Sequence, residues 1–222
     1  MKYLFFSLIL FGFTTFTLSQ TVEIPTSKKQ VDALLKKARE ETQANRLYFS
    51  EDEKCRQLIN KRSFPEAENS CRLAISYAEK LPRESYLERS SAYESLAYVL
   101  IWERKSDQAI SLLNKSLEIG KPVIDDTDAE TGERCFLLGQ AYHQLLKVDE
   151  AREYYTKAEN TYRIAFKKID DDEISGHYLK SIVSILEAHL TLLRGTGSSD
   201  EAAKVEKRLA ETKIEFAKFL EK

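Results

Sequence analysis

The sequence predicts an all-α fold, a right-handed solenoid of antiparallel helix pairs with about nine helices. The first observation is a repeat, because Ala67, Ala109 and Ala151 follow one another at a 42-residue step in similar surroundings. A period of this length is typical of stacked helix pairs. The second is composition, since the 222 residues include only seven Gly and four Pro. The third is a set of Ser and Asp residues placed where helices would begin.

The N-terminus differs from the rest of the chain. Lys2 is followed by an uncharged, mainly apolar run that ends near Leu18, with small residues at Thr17 and Ser19. This pattern is typical of a secretory signal peptide, here residues 1–19, cleaved before Gln20. An uncleaved anchor is the alternative, although spanning a bilayer takes ~20 apolar residues. We expect a secreted or periplasmic protein, of bacterial origin from the short, Phe-rich signal, with no membrane insertion after cleavage.

The charges argue against two classes of partner. The chain has 34 basic and 36 acidic residues, spread along its length. Nucleic acids and anionic lipid surfaces require clustered positive charge. We therefore expect neither as the main partner.

The segments after the signal are predicted from apolar spacing. In a leading helix within residues 20–49, Val31, Leu34, Leu35 and Ala38 recur at three- and four-residue steps, as on an amphipathic helix. The remaining chain, 50–222, divides into repeats of about 50–83, 84–124 and 125–169 and a degenerate cap at 172–222.

Helix starts are predicted from capping residues. Ser50 and Ser63 each precede a Glu by three residues, as in a capping box, and Pro65 falls in the first turn after Ser63. Ser106 is expected to cap a later helix, and Asp170 to Asp172 to separate two others. The clearest loop is 195–199, which is rich in Gly and Ser.

The third repeat carries a recognisable motif. It combines small residues, where two helices would cross, with aromatic residues that would fill the space beside them. The residues are Leu138, Gly139, Tyr142, Ala151, Tyr155 and Ala158. They resemble the tetratricopeptide repeat family, and the longer 42-residue unit is similar to kinesin-light-chain-type repeats. The resemblance implies a protein-binding scaffold.

The resemblance also implies where a ligand would bind, because in this family the first helix of each pair lines the concave face. The candidate groove residues are Arg56, Glu94, Tyr98, Ile101, Trp102, Glu133, Phe136, Gln140 and His143. Packing between repeats is the alternative role for Trp102. The family's carboxylate clamp is not expected, because Asp52, Glu94 and Glu133 occupy much of the face. A basic or mixed extended peptide fits better.

The chain has three cysteines. Cys55 and Cys71 would stand on facing helices of one pair, and a secretory signal implies an oxidising compartment, so we predict a disulfide between them. Two buried free thiols are the alternative. Cys135 would remain as an unpaired core thiol.

The residues that catalysis needs are missing. His143, His177 and His189 are the only histidines, and none belongs to a zinc-binding or nucleophile motif. The acidic segment 126–130 lacks the glycine and terminal glutamate positions of a calcium loop. We predict no catalytic site, metal or cofactor.

Two functions remain open, with an enzyme least favoured. The first is a scaffold that binds a protein or peptide in its groove. The alternative is a structural or self-assembling subunit of an envelope complex.

Overall fold

The computed structural model describes residues 27–169 and 171–220. Within these ranges the chain forms eight α-helices and no strand. They are α1 (Lys28–Asn60), α2 (Phe64–Ala78), α3 (Tyr86–Trp102), α4 (Ser106–Gly120), α5 (Ala129–Gln144), α6 (Val148–Lys168), α7 (Asp172–Gly195) and α8 (Ser199–Leu220). The all-α prediction is confirmed. The predicted signal peptide lies outside the described residues.

The chain divides into two units, with the boundary after Ala38. The described part of the first unit is the start of α1, where Val31, Leu34 and Leu35 are exposed. The second unit contains the remainder of α1 and helices α2 to α8. Among the described helices, none is both long enough and apolar enough to cross a bilayer.

The expected helix start at Ser50 is wrong. Helix α1 continues without interruption through this residue, whose side chain is exposed. The buried residues Ala44, Tyr48 and Cys55 lie on both sides of it at helical spacing, so one apolar stripe extends across the predicted boundary. The described residues therefore have one helix fewer than the nine predicted.

The other predicted starts are close to the observed ones. Ser63 occupies the N-cap position of α2, without a side-chain capping bond, and Pro65 lies in the first turn. Asp171 caps α7 by accepting a hydrogen bond from the backbone of Ile174 at 2.9 Å. The capping role expected of Ser106 is wrong, because its hydroxyl donates instead to Gln144 of α5 at 2.7 Å.

The turn inside each helix pair has the same construction. A residue with positive φ follows the first helix, and the next backbone N–H bonds to a carbonyl five residues back. The turn residues are Arg62, Arg104, Leu146 and Gly197, and the bonds are Ser63 to Leu58, Lys105 to Leu100, Lys147 to Tyr142 and Ser198 to Leu193. This is the hydrogen-bond pattern of a Schellman motif. All four pairs thus share one supersecondary unit.

The helices stack in chain order. From α2 to α8 each helix contacts the next, and the first helices of successive pairs also touch, α3 against α5 and α5 against α7. Close approach depends on small residues: a Cβ at Gly139 would lie 2.6 Å from Cδ1 of Tyr155. The predicted packing of this glycine against an aromatic ring is therefore observed.

Candidate functional site: the first-helix layer

The first helices α3, α5 and α7 lie side by side, and we call them the first-helix layer. Most of the predicted groove residues lie on α3 and α5 of this layer, and Arg56 lies on α1. Their side chains differ in whether they are already engaged by the fold. That difference separates residues available to a ligand from residues that hold the repeats together.

Trp102 packs between repeats. Its ring stacks on Phe64 of α2, with centroids 5.2 Å apart and planes 6° apart. The Tyr98 ring lies 6.3 Å away, tilted by 53°. The Arg62 guanidinium lies 5.6 Å from the same ring. Trp102 nevertheless remains 48% exposed. The packing alternative therefore describes it, although part of its surface stays accessible.

Glu94 is the partner of a buried arginine. The Arg134 side chain of α5 is 1% exposed, and its Nε lies 2.9 Å from a carboxylate oxygen of Glu94. Its guanidinium also donates to the hydroxyl of Ser90 at 3.4 Å. Burial raises the pKa of Glu94 to about 7, against the lowering effect of Arg134. Loss of the carboxylate would leave a buried cation without its counter-charge, which is costly.

Glu133 and His143 are each tied to α6. Tyr162 donates a hydrogen bond to Glu133 at 2.9 Å, and burial raises the pKa of this carboxyl. The Nδ1 of His143 lies 3.2 Å from the hydroxyl of Tyr155, and burial lowers the pKa of its imidazole. Both groups are half-buried, so they support the layer while keeping some surface accessible.

Two further candidates have evident structural roles. Ile101 is buried, so little of its side chain can reach a ligand. Arg56 is exposed and pairs with the buried Asp52 at 2.8 Å. Three predicted groove residues remain, all half-buried. Tyr98 and Phe136 make ring contacts, and the third is Gln140.

The first helix pair is closed by a disulfide in the structure. Cys55 of α1 is joined to Cys71 of α2, and both residues are fully buried. Cys135 is a buried free thiol, and burial raises its pKa to about 11. A thiol that stays protonated is a poor nucleophile, so Cys135 is a core residue.

Sequence reasoning missed the buried polar groups. Arg134 aligns with Ala92 at the 42-residue step, and Tyr162 aligns with Gly120. A difference between repeats at these two positions does not predict a polar contact, because the repeat pattern is defined by its apolar and small residues. Among the described residues, no group of three or more His, Cys, Asp and Glu side chains could hold a metal ion. The first-helix layer offers hydrogen bonds, ring faces and carboxylates.

A known repeat family matches a segment that includes α5 and most of α3 of this layer. Residues 88–164, which extend from α3 into α6, match the tetratricopeptide repeat model. This segment is similar to tetratricopeptide repeats. The predicted resemblance is confirmed for this part of the chain, and such repeats are generally protein-interaction scaffolds.

Solved structures with tetratricopeptide-like repeats are also similar. The putative kinesin light chain repeats of Podosopora anserina are 14% identical, cover 78% of this chain and 97% of that chain, and give a TM-score of 0.47. A form of the same repeats with one glutamine replaced by methionine gives 0.48 at 14% identity, covering 79% and 98%. BtubC (BKLC) from P. vanneervenii gives 0.43 at 14% identity, covering 86% and 93%. Comparison with curated proteins finds no match.

Proposed function

We propose that this protein is a scaffold without catalytic activity that binds a protein or peptide on the exposed face of its first-helix layer. The observation that carries the proposal is the side-by-side arrangement of α3, α5 and α7, with half-buried polar and aromatic side chains on neighbouring helices. In tetratricopeptide repeats this layer is the concave one. A face built from successive helices suits an extended segment, which can contact several repeats at once.

The chemistry of the face favours a ligand of mixed character. Tyr98 and Phe136 offer ring surface, which contributes strongly to binding when it is covered. Gln140 offers a donor and an acceptor for a backbone amide. The carboxylates of Glu94 and Glu133 add negative potential, part of which Arg134 offsets. A peptide that combines basic and apolar side chains meets these groups best.

The proposed setting is the periplasm or the extracellular space. The apolar N-terminal run and the Cys55–Cys71 bridge support it together, because disulfides persist in oxidising compartments. The bridge is tested by unfolding the unreduced chain in denaturant, alkylating it and measuring its intact mass. Uptake of one alkyl group agrees with a bridge and a free Cys135. Uptake of three would show three free thiols and would remove this support.

The binding proposal is tested by capturing partners from the native envelope fraction. The immobilised chain is compared with a Tyr98→Ala, Gln140→Ala variant, which removes neither ring of the Trp102–Phe64 stack and neither partner of the Glu94–Arg134 pair. A Lys157→Ala, Asn160→Ala variant is the matched control, because both residues are exposed on α6. Thermal melts establish that all three chains fold equally well.

We expect mass spectrometry to identify a protein that the parent and the α6 variant retain and the α3–α5 variant loses. Equal capture by all three chains would exclude this face as the binding site. The alternative, a self-assembling envelope subunit, predicts a mass by light scattering that rises with protein concentration, whereas the scaffold alone predicts a constant mass.

A further inference from the structure

The last helix pair contains a histidine at a leucine position. When Ala202 is aligned with Ala151, His189 of α7 falls in the place of Leu138 of α5, and Leu138 follows Leu96 at the 42-residue step. All three side chains are buried, with His189 4% exposed. The imidazole therefore occupies a core position of the repeat, between α6, α7 and α8.

The fold gives this imidazole no hydrogen bond. Neither Nδ1 nor Nε2 of His189 has a hydrogen-bond partner within the described structure. The ring lies instead beside that of Tyr155, with centroids 5.7 Å apart and planes tilted by 35°. A buried polar group without a partner destabilises the folded state, and a charged one does so much more. The site accepts the neutral ring and disfavours the protonated ring.

The charges around His189 come from the two other helices that pack there. Arg152 and Glu159 lie on α6, and Glu201 and Arg208 lie on α8. These cations and carboxylates are already paired with one another across the two helices. Arg208 binds Glu159 in two hydrogen bonds of 3.1 Å, and Arg152 lies 3.2 Å from Glu201. Glu159 also pairs with Arg163 at 3.0 Å, so a protonated imidazole would have to compete for carboxylates already in use.

We propose that His189 makes α7 and α8 an acid-sensitive cap, which separates from α6 as the imidazole takes up a proton. Among the described helices, the α7–α8 pair contacts only the α5–α6 pair, so it can open without unfolding the other pairs. Opening would expose the face of α6 that carries Tyr155, Ala158 and Tyr162, which are buried in the closed form.

The direction of the pH effect follows from the burial. Burial is the largest cause that lowers the pKa of His189 below its usual 6.5, and Arg208 and Arg152 add to it. The open state therefore binds the proton more readily than the closed state. The stabilisation of the closed state by neutral His189 is complete above pH 6.5. It is progressively lost as the pH falls from 6.5 towards the lowered pKa of His189 in the closed state. Within that window the opening equilibrium rises by at most about tenfold per pH unit.

The test measures hydrogen exchange in peptides from α6, α7 and α8 between about pH 7.5 and pH 5, a range that spans the ordinary histidine pKa, corrected for the intrinsic rate. For the full chain we expect protection of α7 and α8 to fall on acidification more than protection of α3 and α4. An imidazole pKa below 6.5, measured for His189 by NMR, is expected alongside. A pKa at or above that value would overturn the proposal.

Two variants isolate the imidazole. His189→Leu restores the residue of the upstream repeats, and His189→Met keeps a flexible neutral side chain in case Leu does not fit. Each should abolish the extra loss of protection, whereas His177→Gln, at an exposed position of α7, should leave it unchanged. The same acid response in a folded His189 variant, or its loss in His177→Gln, would overturn the assignment.

Discussion

The helix pairs α5–α6 and α7–α8 are built alike but end differently. On α6, the buried side chains of Tyr155 and Tyr162 contact both α5 of their own pair and rings of α7 in the next pair. Alignment of Ala151 with Ala202 places Glu206 and Lys213 at the same positions of α8. These two side chains are more than half exposed, and they form ion pairs with α7, Glu206 to Arg194 at 2.8 Å and Lys213 to Glu187 at 2.7 Å.

The comparison shows how one supersecondary unit can either continue a stack or end it. Both pairs share the Schellman turn and bury their inner faces. What differs is a few side chains on one face of the second helix, which are aromatic on α6, where another pair follows, and charged on α8. A polar outer face is what a terminal repeat needs.

The largest expected loss of stability comes from giving one helix pair the residue that the other pair has at the equivalent helix-crossing position. Gly139 of α5 aligns with Leu190 of α7. Gly139→Leu would force a side chain into the buried Tyr155 ring, 2.6 Å from the first added atom. We expect a loss of about 3 kcal/mol in the free energy of unfolding, measured with denaturant.

The converse change, Leu190→Gly, serves as the comparison, since it should destabilise through a cavity and not through overlap. A Gly139→Leu chain within about 1 kcal/mol of the parent would mean that α5 and α6 can separate freely, since overpacking normally costs at least that much. The packing difference between the two pairs would then be much smaller than the structure indicates.

A smaller effect is expected at the turns. Gly197 has φ of 73°, and nothing lies within 4 Å of an added Cβ, so Gly197→Ala adds backbone strain alone. We expect a loss of about 1 kcal/mol by thermal or chemical denaturation. Leu146, with φ of 58° and an exposed side chain, offers the reverse test.

Leu146→Gly should stabilise the chain by about 0.5 kcal/mol, because the relief of strain exceeds the added freedom of the unfolded chain. If Gly197→Ala and Leu146→Gly destabilise the chain equally, the turns of the two pairs are not equivalent. The shared Schellman construction would then not explain their similar geometry.

The smallest effect on stability is expected for the charged outer face of α8. The double variant Glu206→Tyr, Lys213→Tyr gives this helix the residues of α6. Exposed ion pairs contribute about 0 to 1 kcal/mol each, so the free energy of unfolding should change little. Light scattering should instead show association that grows with concentration, because the new face resembles one that binds another helix.

A double variant that remains monomeric at all concentrations would show that these two charges do not terminate the stack. Glu206→Gln, Lys213→Gln is the matched control. It removes the charges without adding ring surface, and we expect it to stay monomeric.

Local spacing predicted much of the fold. The 42-residue step of Ala67, Ala109 and Ala151 indicated stacked helix pairs, because a helix crossing requires a small residue at the same place in every unit. Capping patterns were less reliable. Ser50 has the spacing of a cap but lies within α1, since the apolar stripe on both sides continues the helix. A short polar motif has less influence than a long buried face.

The candidate site was predicted only in outline. The resemblance placed most candidates on α3 and α5, yet it could not predict that Trp102 stacks on Phe64 while Tyr98 is half-buried beside it. Trp102 and Phe64 align with Gln144 and Ser106 at the 42-residue step. The latter two make a hydrogen bond at the equivalent place. One junction is thus aromatic and the next polar.

The sequence by itself determined the helical class, the repeat and the family of residues 88–164, because these depend on periodic residues that each helix needs for its own packing. The tertiary structure alone decided the partners of Arg134, the ion pairs of α8 and the isolation of His189. Those contacts join residues from different repeats, and a polar side chain's environment depends on what the neighbouring helices place against it.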